Sequence, residues 1–378
     1  MEITRKPLKL AVIGKGTAGS FALNHFAQYI DNVEIDCYYD SNIKEQTVGE
    51  GTTVDVPETL YKQHGIEFHD IFEKLNGNFK TGINYIGWGK QDYMHTFPVP
   101  NVSIHFNAIK LQEMLQELNK DKVTFIDKNV SHNDIDADYI IDCSGKSDDT
   151  SSYNKAEYIP VNAAIVMQCA WTTPLYFHTL CIAAKHGWVF GIPLQDRTSF
   201  GYMYNKDINN KEEIEQELLE IIDSYGYTSY ETNHLEFNNY FKKINYTERI
   251  AYNGNASFFL EPMEATSIAT IDDINRDVFD LLYSNRKLDY LNRRYNTWFK
   301  QVQDIITMHY LAGSKHNTEF WTHAKDLAVK CLDNKLDLYD NIIENITNPD
   351  YELYGNYGTW SLESFRQNIV GLGLLNKL

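Results

Sequence analysis

Two stretches of this chain gather residues that can hold an anion and move a proton. Residues 253 to 268, NGNASFFLEPMEATSI, set small residues (Gly254, Ala256, Ser257), a turn-forming Pro262, two carboxylates (Glu261, Glu264) and two hydroxyls (Thr266, Ser267) beside an apolar FFL. Gly and Ala leave room for backbone to approach a ligand, and exposed amides at such a turn can hold an anion. A buried turn leading into a helix, with Thr266 or Ser267 as its cap, is the plainer reading of the same residues. The second stretch is GKGTAG, with Gly14, Gly16 and Gly19 in GxGxxG spacing around Thr17 and Ala18. Glycines so spaced let backbone turn tightly against a pyrophosphate while a helix N-terminus stabilises the negative charge. Asp40, 21 residues after Gly19, is placed to take a ribose hydroxyl.

The elements needed to position these groups can be read from the pattern. LKLAVI (8 to 13) is a short apolar run suited to a buried parallel strand, an amphipathic segment follows from Thr17 to Ile30, and VEIDCYYD then ends in Asp40. That is a βαβ dinucleotide-binding unit. VGEGTTVDVPETL (48 to 60), holding Gly49, Glu50 and Gly51, is a loop that either wraps a cofactor or connects elements. Lys80 begins a strand-like segment just after a turn at Gly77, where a lysine is ordinarily a solvated charge. Asn107 is a good cap for the helix after it, and DYIIDCSGK (138 to 146) is a further strand whose Asp142 and Gly145 suit a sheet edge meeting a cofactor. Ile159 to Tyr204 reads as an antiparallel sheet on the substrate side, residues 211 to 224 as helix, LEF and its neighbours as strand, and the chain beyond Ile271 as mainly helical.

Composition narrows the class. At 378 residues with 43% hydrophobic and 23% charged residues the chain is a folded globular protein, and a net charge of −18 lacks the basic footprint of a broad nucleic-acid surface. The N-terminal apolar run is too short for a signal peptide and no run reaches membrane-spanning length, which points to the cytoplasm. Five cysteines without CxxC spacing fit reduced, buried thiols better than a disulfide framework, and His64 with His69 has no metal-site company. His309 and Tyr310 read as helix packing.

Taken together, GKGTAG, VGEG at 48 to 51, NFKTGI around Lys80, DCSG at 142 to 145, GWVFGIP at 187 to 193, GNASFFLEPMEATSI at 254 to 268 and DIITMHY with FW at 304 to 321 resemble the flavin-dependent halogenases of the tryptophan halogenase family. The resemblance implies an α/β, glutathione-reductase-like FAD-binding fold with an antiparallel substrate-side sheet and a C-terminal helical region. It implies reduced FAD from a separate NAD(P)H-dependent flavin reductase, which with oxygen and a halide yields hypohalous acid. It assigns Lys80 to carrying that oxidant to a small aromatic substrate and Glu264 to catalysis, Thr266 and Ser267 to the halide, and Trp188, Phe190, Glu261 and Pro262 to the substrate pocket. Ile268 joins the glycine loops and Asp40 in holding FAD.

Two departures stand out. Phe190 replaces the second tryptophan of the family's WxWxIP motif, preserving bulk and apolarity, and Lys315 and Asn317 stand where relatives tend to carry Arg and Asp. The chain is also shorter than typical tryptophan-specific members, so the expected substrate broadens to an indole, a phenol or another electron-rich aromatic. An FAD monooxygenase or oxidase is the alternative reading, and a non-catalytic flavoprotein a more distant one. The expected organisation is an FAD-binding and catalytic module over 1–290, with a sheet inserted at about 155–245, and a helical region over 291–378 contributing to the substrate pocket. Halide preference, ring position and homo-oligomerisation are left open.

Overall fold

The computed structural model describes residues 6–43, 49–97, 101–170, 176–332, 356–357 and 360–374. Leu8–Ile13 is apolar apart from Lys9 and buried from Leu10 to Ile13, as suits a parallel strand covered above and below, and it is the middle strand of a five-stranded parallel sheet. Val33–Tyr39 pairs with one side of it, Leu8 opposite Val33 and Ile13 opposite Tyr38, and Tyr139–Asp142 with the other. Val123–Asp127 forms one edge and Ile250–Tyr252 the other. The last strand brings the Asn253–Ile268 run back to the glycine turn: the Asn253 N–H donates to the Asp142 carbonyl at 2.8 Å.

Helix Thr17–Tyr29 follows the glycine turn. An amphipathic segment is expected here, but Ser20, Asn24 and His25 are buried along with Ala22, Leu23, Phe26 and Ala27. The reason is that helices Ala108–Leu118 and Thr266–Tyr283 both pack on it. Asn24 keeps a partner inside, donating to Gln63 Oε1 at 2.8 Å. Asn107 caps Ala108–Leu118 as its position predicts, accepting from the Lys110 N–H.

The second sheet has seven strands in the order Thr228–Glu236, Ala163–Ala170, Arg197–Tyr204, Gly187–Pro193, Thr179–Ala184, Gly82–Ile86, Tyr93–Thr96. Two features differ from expectation. Thr179–Ala184 and Gly82–Ile86 run parallel, so the sheet is mixed, and its last two strands come from before residue 155. The pleat sends alternate residues to opposite faces. Trp188, Phe190 and Ile192 thus line a cavity, while Val189 packs with Ile214, Leu218 and Ile222 of helix Lys211–Ser224 on the other side. Gly201 gives Phe190 its place, since a Cβ there would lie 2.1 Å from the ring.

The C-terminal helices close the far end. In Leu288–Ala312 every residue from Val302 to Tyr310 is buried, and Glu319–Leu332 packs against it. Among the described residues this end of the chain is mainly helical, as expected, with one exception. Residues 333–355 of that region, like Val48 of the VGEG motif, lie outside the described residues, and short antiparallel strands at Asn356–Tyr357 and Trp360–Ser361 precede the last helix, Leu362–Gly371. That helix packs on Tyr93–Thr96. Among the described residues, no helix is long and apolar enough to cross a membrane.

Leu218 is fully buried between the mixed sheet and its covering helix. Leu218→Ala should lower the unfolding free energy by about 2–5 kcal/mol in urea titrations. A loss under about 0.5 kcal/mol would show that this helix is not part of the cooperative core.

Candidate active site

A single cavity of about 900 Å³ runs between the two sheets, lined at one end by the glycine turn and at the other by Lys80, Tyr85 and Glu264. At the first end Gly14 has φ +92°, and a Cβ there would lie 2.7 Å from the Cys143 carbonyl oxygen. Gly19 is tighter still, its Cβ position 1.9 Å from the Gly14 oxygen, so helix Thr17–Tyr29 can start only on glycine. Gly16, Gly49 and Gly145 have nothing within 4 Å of their Cβ positions, and the latter two have positive φ. The helix start has no side-chain cap and no acidic residue in its first turn. These features leave a helix N-terminus facing open space beside glycines a side chain would fill, which fits a dinucleotide pyrophosphate.

Thr17 and Ala18 line the same end, with Gln112 donating to Thr17 Oγ1 at 3.0 Å. Asp40 lines it from the end of its strand, its carboxyl lowered by hydrogen bonds from the Asn42 backbone and side chain. Asp142 is placed differently. Its carboxylate is buried away from the cavity lining, accepts from Ser144 N and Oγ and contacts His132 Nε2 at 2.8 Å, so it shapes the Ser144–Gly145 turn from behind. Burial would raise its pKa, but those bonds win and lower it.

Glu50 lines the cavity midway and is buried, accepting from Ser199 Oγ at 2.7 Å and from both terminal nitrogens of Arg197. This ion pair fastens the Gly49–Gly51 loop to the mixed sheet. Sequence reasoning did not single out Arg197, because only the fold brings strand Arg197–Tyr204 to a loop 147 residues earlier. Gly51 bridges to His105, and its Cβ position lies 3.8 Å from Lys80 Nζ.

Lys80 is not a solvated edge charge. Strand Asn78–Lys80 pairs with Ser103–His105, and the lysine is 3% exposed. Its Nζ donates to the Thr52 carbonyl at 3.2 Å and lies 5.5 Å from the centre of the Phe97 ring. Burial brings its pKa down to about 8 against the attraction of Glu264.

Glu264 and Ala265 follow one another at φ +63° and +54°, the left-handed region that non-glycine residues seldom enter. This turn aims the Glu264 carboxylate into a ring of donors. Oε1 accepts from Tyr85 OH and from Asn368 Nδ2 at 2.9 Å, and Oε2 accepts from Trp360 Nε1 at 3.2 Å. His309 Nε2 lies 3.2 Å from Oε1 and His95 Nδ1 3.9 Å from Oε2. Burial alone would raise this carboxyl, but His309, His95 and Tyr85 together hold it at about 2. Tyr85, His95, Trp360 and Asn368 were not foreseen, and His309, expected to be packing only, faces the carboxylate. The DIITMHY motif was the one signal that could have pointed to it.

The neighbouring residues divide. Pro262, Ser267 and Ile268 line the cavity, as do Trp188 and Phe190. Glu261, expected in the substrate pocket, is fully buried behind Trp188: Oε2 accepts from Trp188 Nε1 at 2.9 Å and Tyr310 OH at 2.7 Å, while Oε1 has no partner. Thr266 is also buried, its hydroxyl unpartnered, and neither it nor Ser267 caps the helix they begin; Ala265 is the cap residue. The first N–H groups of that helix lack intrahelical acceptors, the usual condition for holding an anion.

The sequence matches the family model described as tryptophan halogenase over residues 9–125 and 110–377. It is 20% identical to the tryptophan 7-halogenase RebH of Lentzea aerocolonigenes, across 97% of this chain and 90% of that one. It is 26% identical to the tryptophan 6-halogenase SttH of Streptomyces toxytricini, across 60% of this chain and 49% of that one. The solved structure of SttH superimposes with a TM-score of 0.82 at 20% identity, covering 98% of this chain and 91% of that chain. A tryptophan halogenase structure from Shewanella frigidimarina gives 0.82 at 19% identity, covering 97% and 89%.

Burial raises the Glu261 pKa from 4.5 to about 7, with Tyr310 and Trp188 pulling the other way. Between those values the folded protein keeps a proton that the unfolded chain has released. This contribution to stability is therefore full below about 4.5 and is lost as pH rises through about 7. Glu261→Gln, which stays neutral, should flatten that slope in urea unfolding measured across the window; an unchanged slope would place its origin in other groups.

Proposed function

The chain belongs to the tryptophan halogenase family of flavin-dependent enzymes, and on that footing we propose that it halogenates an electron-rich aromatic substrate, tryptophan-like, indolic or phenolic, through Lys80. The observation that carries this reading is that Lys80 and Glu264, with their side chains buried, line the same cavity as the glycine turn. Reduced FAD, when bound, would supply hypohalous acid from oxygen and a halide.

The FAD pyrophosphate would lie on the N-terminus of Thr17–Tyr29, against Gly14, Gly16, Thr17, Ala18 and Gly19, with Asp40 on its ribose. Gly49, Glu50, Gly51, Gly145 and Ile268 would complete the contact, and Asp142 would hold the Ser144–Gly145 turn in shape. The halide would sit at the start of helix Thr266–Tyr283, where the N–H groups of Thr266 and Ser267 and the helix dipole favour an anion.

Lys80 supports an oxidant relay because its Nζ spends one of three donors on Thr52 and keeps others for a neighbour. Burial lowers its pKa to about 8, which brings the neutral, nucleophilic amine within reach near neutral pH. The ammonium would donate a hydrogen bond to the oxygen of hypohalous acid. The neutral amine would instead attack the acid's halogen, the N–halogen bond forming as the O–halogen bond breaks and the hydroxide leaving as water with a proton from the amine. Glu264 would accept the ring proton after the carbon–halogen bond forms, the C–H electron pair returning to the ring. A cation formed on the ring is acidic enough to protonate even a carboxylate of low pKa. Trp188, Phe190 and Ile192 give the cavity an apolar wall that keeps competing water away from the oxidant.

In this reading residues 1–290 form the FAD-binding and catalytic module, its mixed sheet built from about 155–245 together with strands Gly82–Ile86 and Tyr93–Thr96. Residues 291–378 contribute to the substrate end, and a separate NAD(P)H-dependent flavin reductase supplies reduced FAD in the cytoplasm.

Purified protein with FAD, a flavin reductase, NADH, a panel of aromatics and chloride, bromide or iodide should give halogenated product by mass spectrometry. Lys80→Ala should abolish it while leaving FAD binding intact. Halogenation at the wild-type rate by Lys80→Ala would overturn the relay, and oxygenated product in place of halogenated product would move the assignment to a monooxygenase.

A further inference from the structure

The ring of donors around Glu264 settles where a proton must sit. His309 Nδ1 lies 2.9 Å from the Ile305 carbonyl, and because a carbonyl oxygen can only accept, Nδ1 carries a hydrogen. The other nitrogen, Nε2, is sealed from water, has no aligned hydrogen bond, and lies 3.2 Å from Glu264 Oε1. A neutral ring would set the Nε2 lone pair against a carboxylate oxygen in the protein interior, which is repulsive and unrelieved by solvent. One proton therefore belongs to this pair.

Its position follows from the other contacts. Asn368 is oriented by Tyr93, whose hydroxyl donates to Asn368 Oδ1 at 3.1 Å, so the Asn368 amide nitrogen faces Glu264 Oε1 as a donor. Tyr85 donates to the same oxygen. Oε2 accepts in turn from Trp360 Nε1, so a proton on either oxygen would set a donor among donors, and the ionised carboxylate is the form that all three contacts fit. The proton then resides on His309.

We propose that His309 is a positioning residue for Glu264: as an imidazolium, with Nδ1–H held by Ile305, it supplies the buried counter-charge that keeps Glu264 ionised toward the cavity. This rests on the reading of Glu264 as the group that accepts the substrate's proton, but concerns the resting protein and needs no turnover to be tested. The ring is held between Tyr85, stacked at 5.1 Å and 28°, and Trp88, edge-on at 5.9 Å. The other titratable groups facing the pair do not supply the charge in its place. Tyr85 and Tyr93 are kept protonated by burial, and at His95, farther off at 3.9 Å, burial outweighs the attraction of Glu264 and pushes the ring toward its neutral form. Lys80 is the remaining cation, and it acts on Glu264 through charge alone.

The test is ¹⁵N NMR of histidine-labelled protein without cofactor, the His309 signal being identified by its loss in His309→Gln or, if that variant does not fold, in His309→Asn. Both ring nitrogens should be protonated at pH 7 in wild type. In Glu264→Gln the ring should lose the Nε2 proton and keep Nδ1–H, since the amide can donate to Nε2. A neutral His309 ring in wild type at pH 7, or an imidazolium in both proteins, would overturn the proposal. In the halogenation assay His309→Gln should lower kcat at unchanged KM and shift its pH profile, whereas an unaltered profile would leave His309 a packing residue. Absence of halogenation in wild type would sink the catalytic reading while the NMR outcome still decided the protonation of the pair.

Discussion

A carboxylate shut away from water is costly unless donors meet it, and Glu264, its side chain 2% exposed, is met from four directions. Tyr85 comes from the mixed sheet, His309 from the long buried helix, Trp360 from the short strand pair and Asn368 from the last helix. The packing of the C-terminal helices on the sheet is thereby tied to one point. Tyr93 extends the tie, since it stacks on Tyr85 at 4.8 Å and also orients Asn368. The first sheet enters through Ile250–Tyr252, whose pairing beside Tyr139–Asp142 fixes where the Asn253–Ile268 run begins. Gly254, at φ +54° and with a Cβ position 2.5 Å from Ala18 Cβ, lets that run pass directly over the helix of the glycine turn.

The same interaction accounts for backbone strain that would otherwise be hard to keep. Two successive left-handed residues without glycine, Glu264 and Ala265, cost on the order of 1–3 kcal/mol each. Hydrogen bonds to a charged group contribute about 1.5–3 kcal/mol each, and Glu264 accepts three. Together the three bonds contribute about 4.5–9 kcal/mol against about 2–6 kcal/mol of strain, enough to hold the turn in place. The strain also has a use in the site: it turns Glu264 toward Tyr85 and the cavity, while Glu261, one turn earlier, faces Trp188 and Tyr310 instead.

How much of this was legible in the sequence depends on the range of the determinants. The glycine turn, its strands and helix, and the Asn107 cap are written in local spacing and propensity, and the chain folds there as that spacing predicts. Pleat alternation likewise marks Trp188 and Phe190 as sharing a face. The burial of Lys80 is not local. A lysine on a three-residue strand looks solvated until Ser103–His105 pairs with it and Phe97 covers it. The partners of Glu264 lie 179, 104 and 96 residues away at Tyr85, Asn368 and Trp360, beyond any periodicity. His309 misled for a related reason: a histidine within nine consecutive buried residues of a helix looks like packing until the carboxylate opposite is known. Arg197 shows the same limit, since a basic residue opening a strand gives no sign of Glu50.

Glu261 and Glu264 lie three residues apart with both side chains buried, and their carboxyls move in opposite directions. Burial is common to both, so the hydrogen-bond partners must decide. Glu261 has two neutral donors on one oxygen and none on the other, and burial prevails; Glu264 has donors on both oxygens and an imidazole beside it, and the anion prevails. Below neutrality the turn therefore holds a single negative charge, and it is the one facing the cavity. That location matters to Lys80, whose ammonium is pushed down by burial and supported by Glu264. Were the charge on Glu261 instead, it would lie behind Trp188, and Lys80 would lose its attraction with nothing to replace it. Splitting the two carboxyls thus fixes the state of the lysine as well, and ties the proton chemistry of the site to which way one strained turn points.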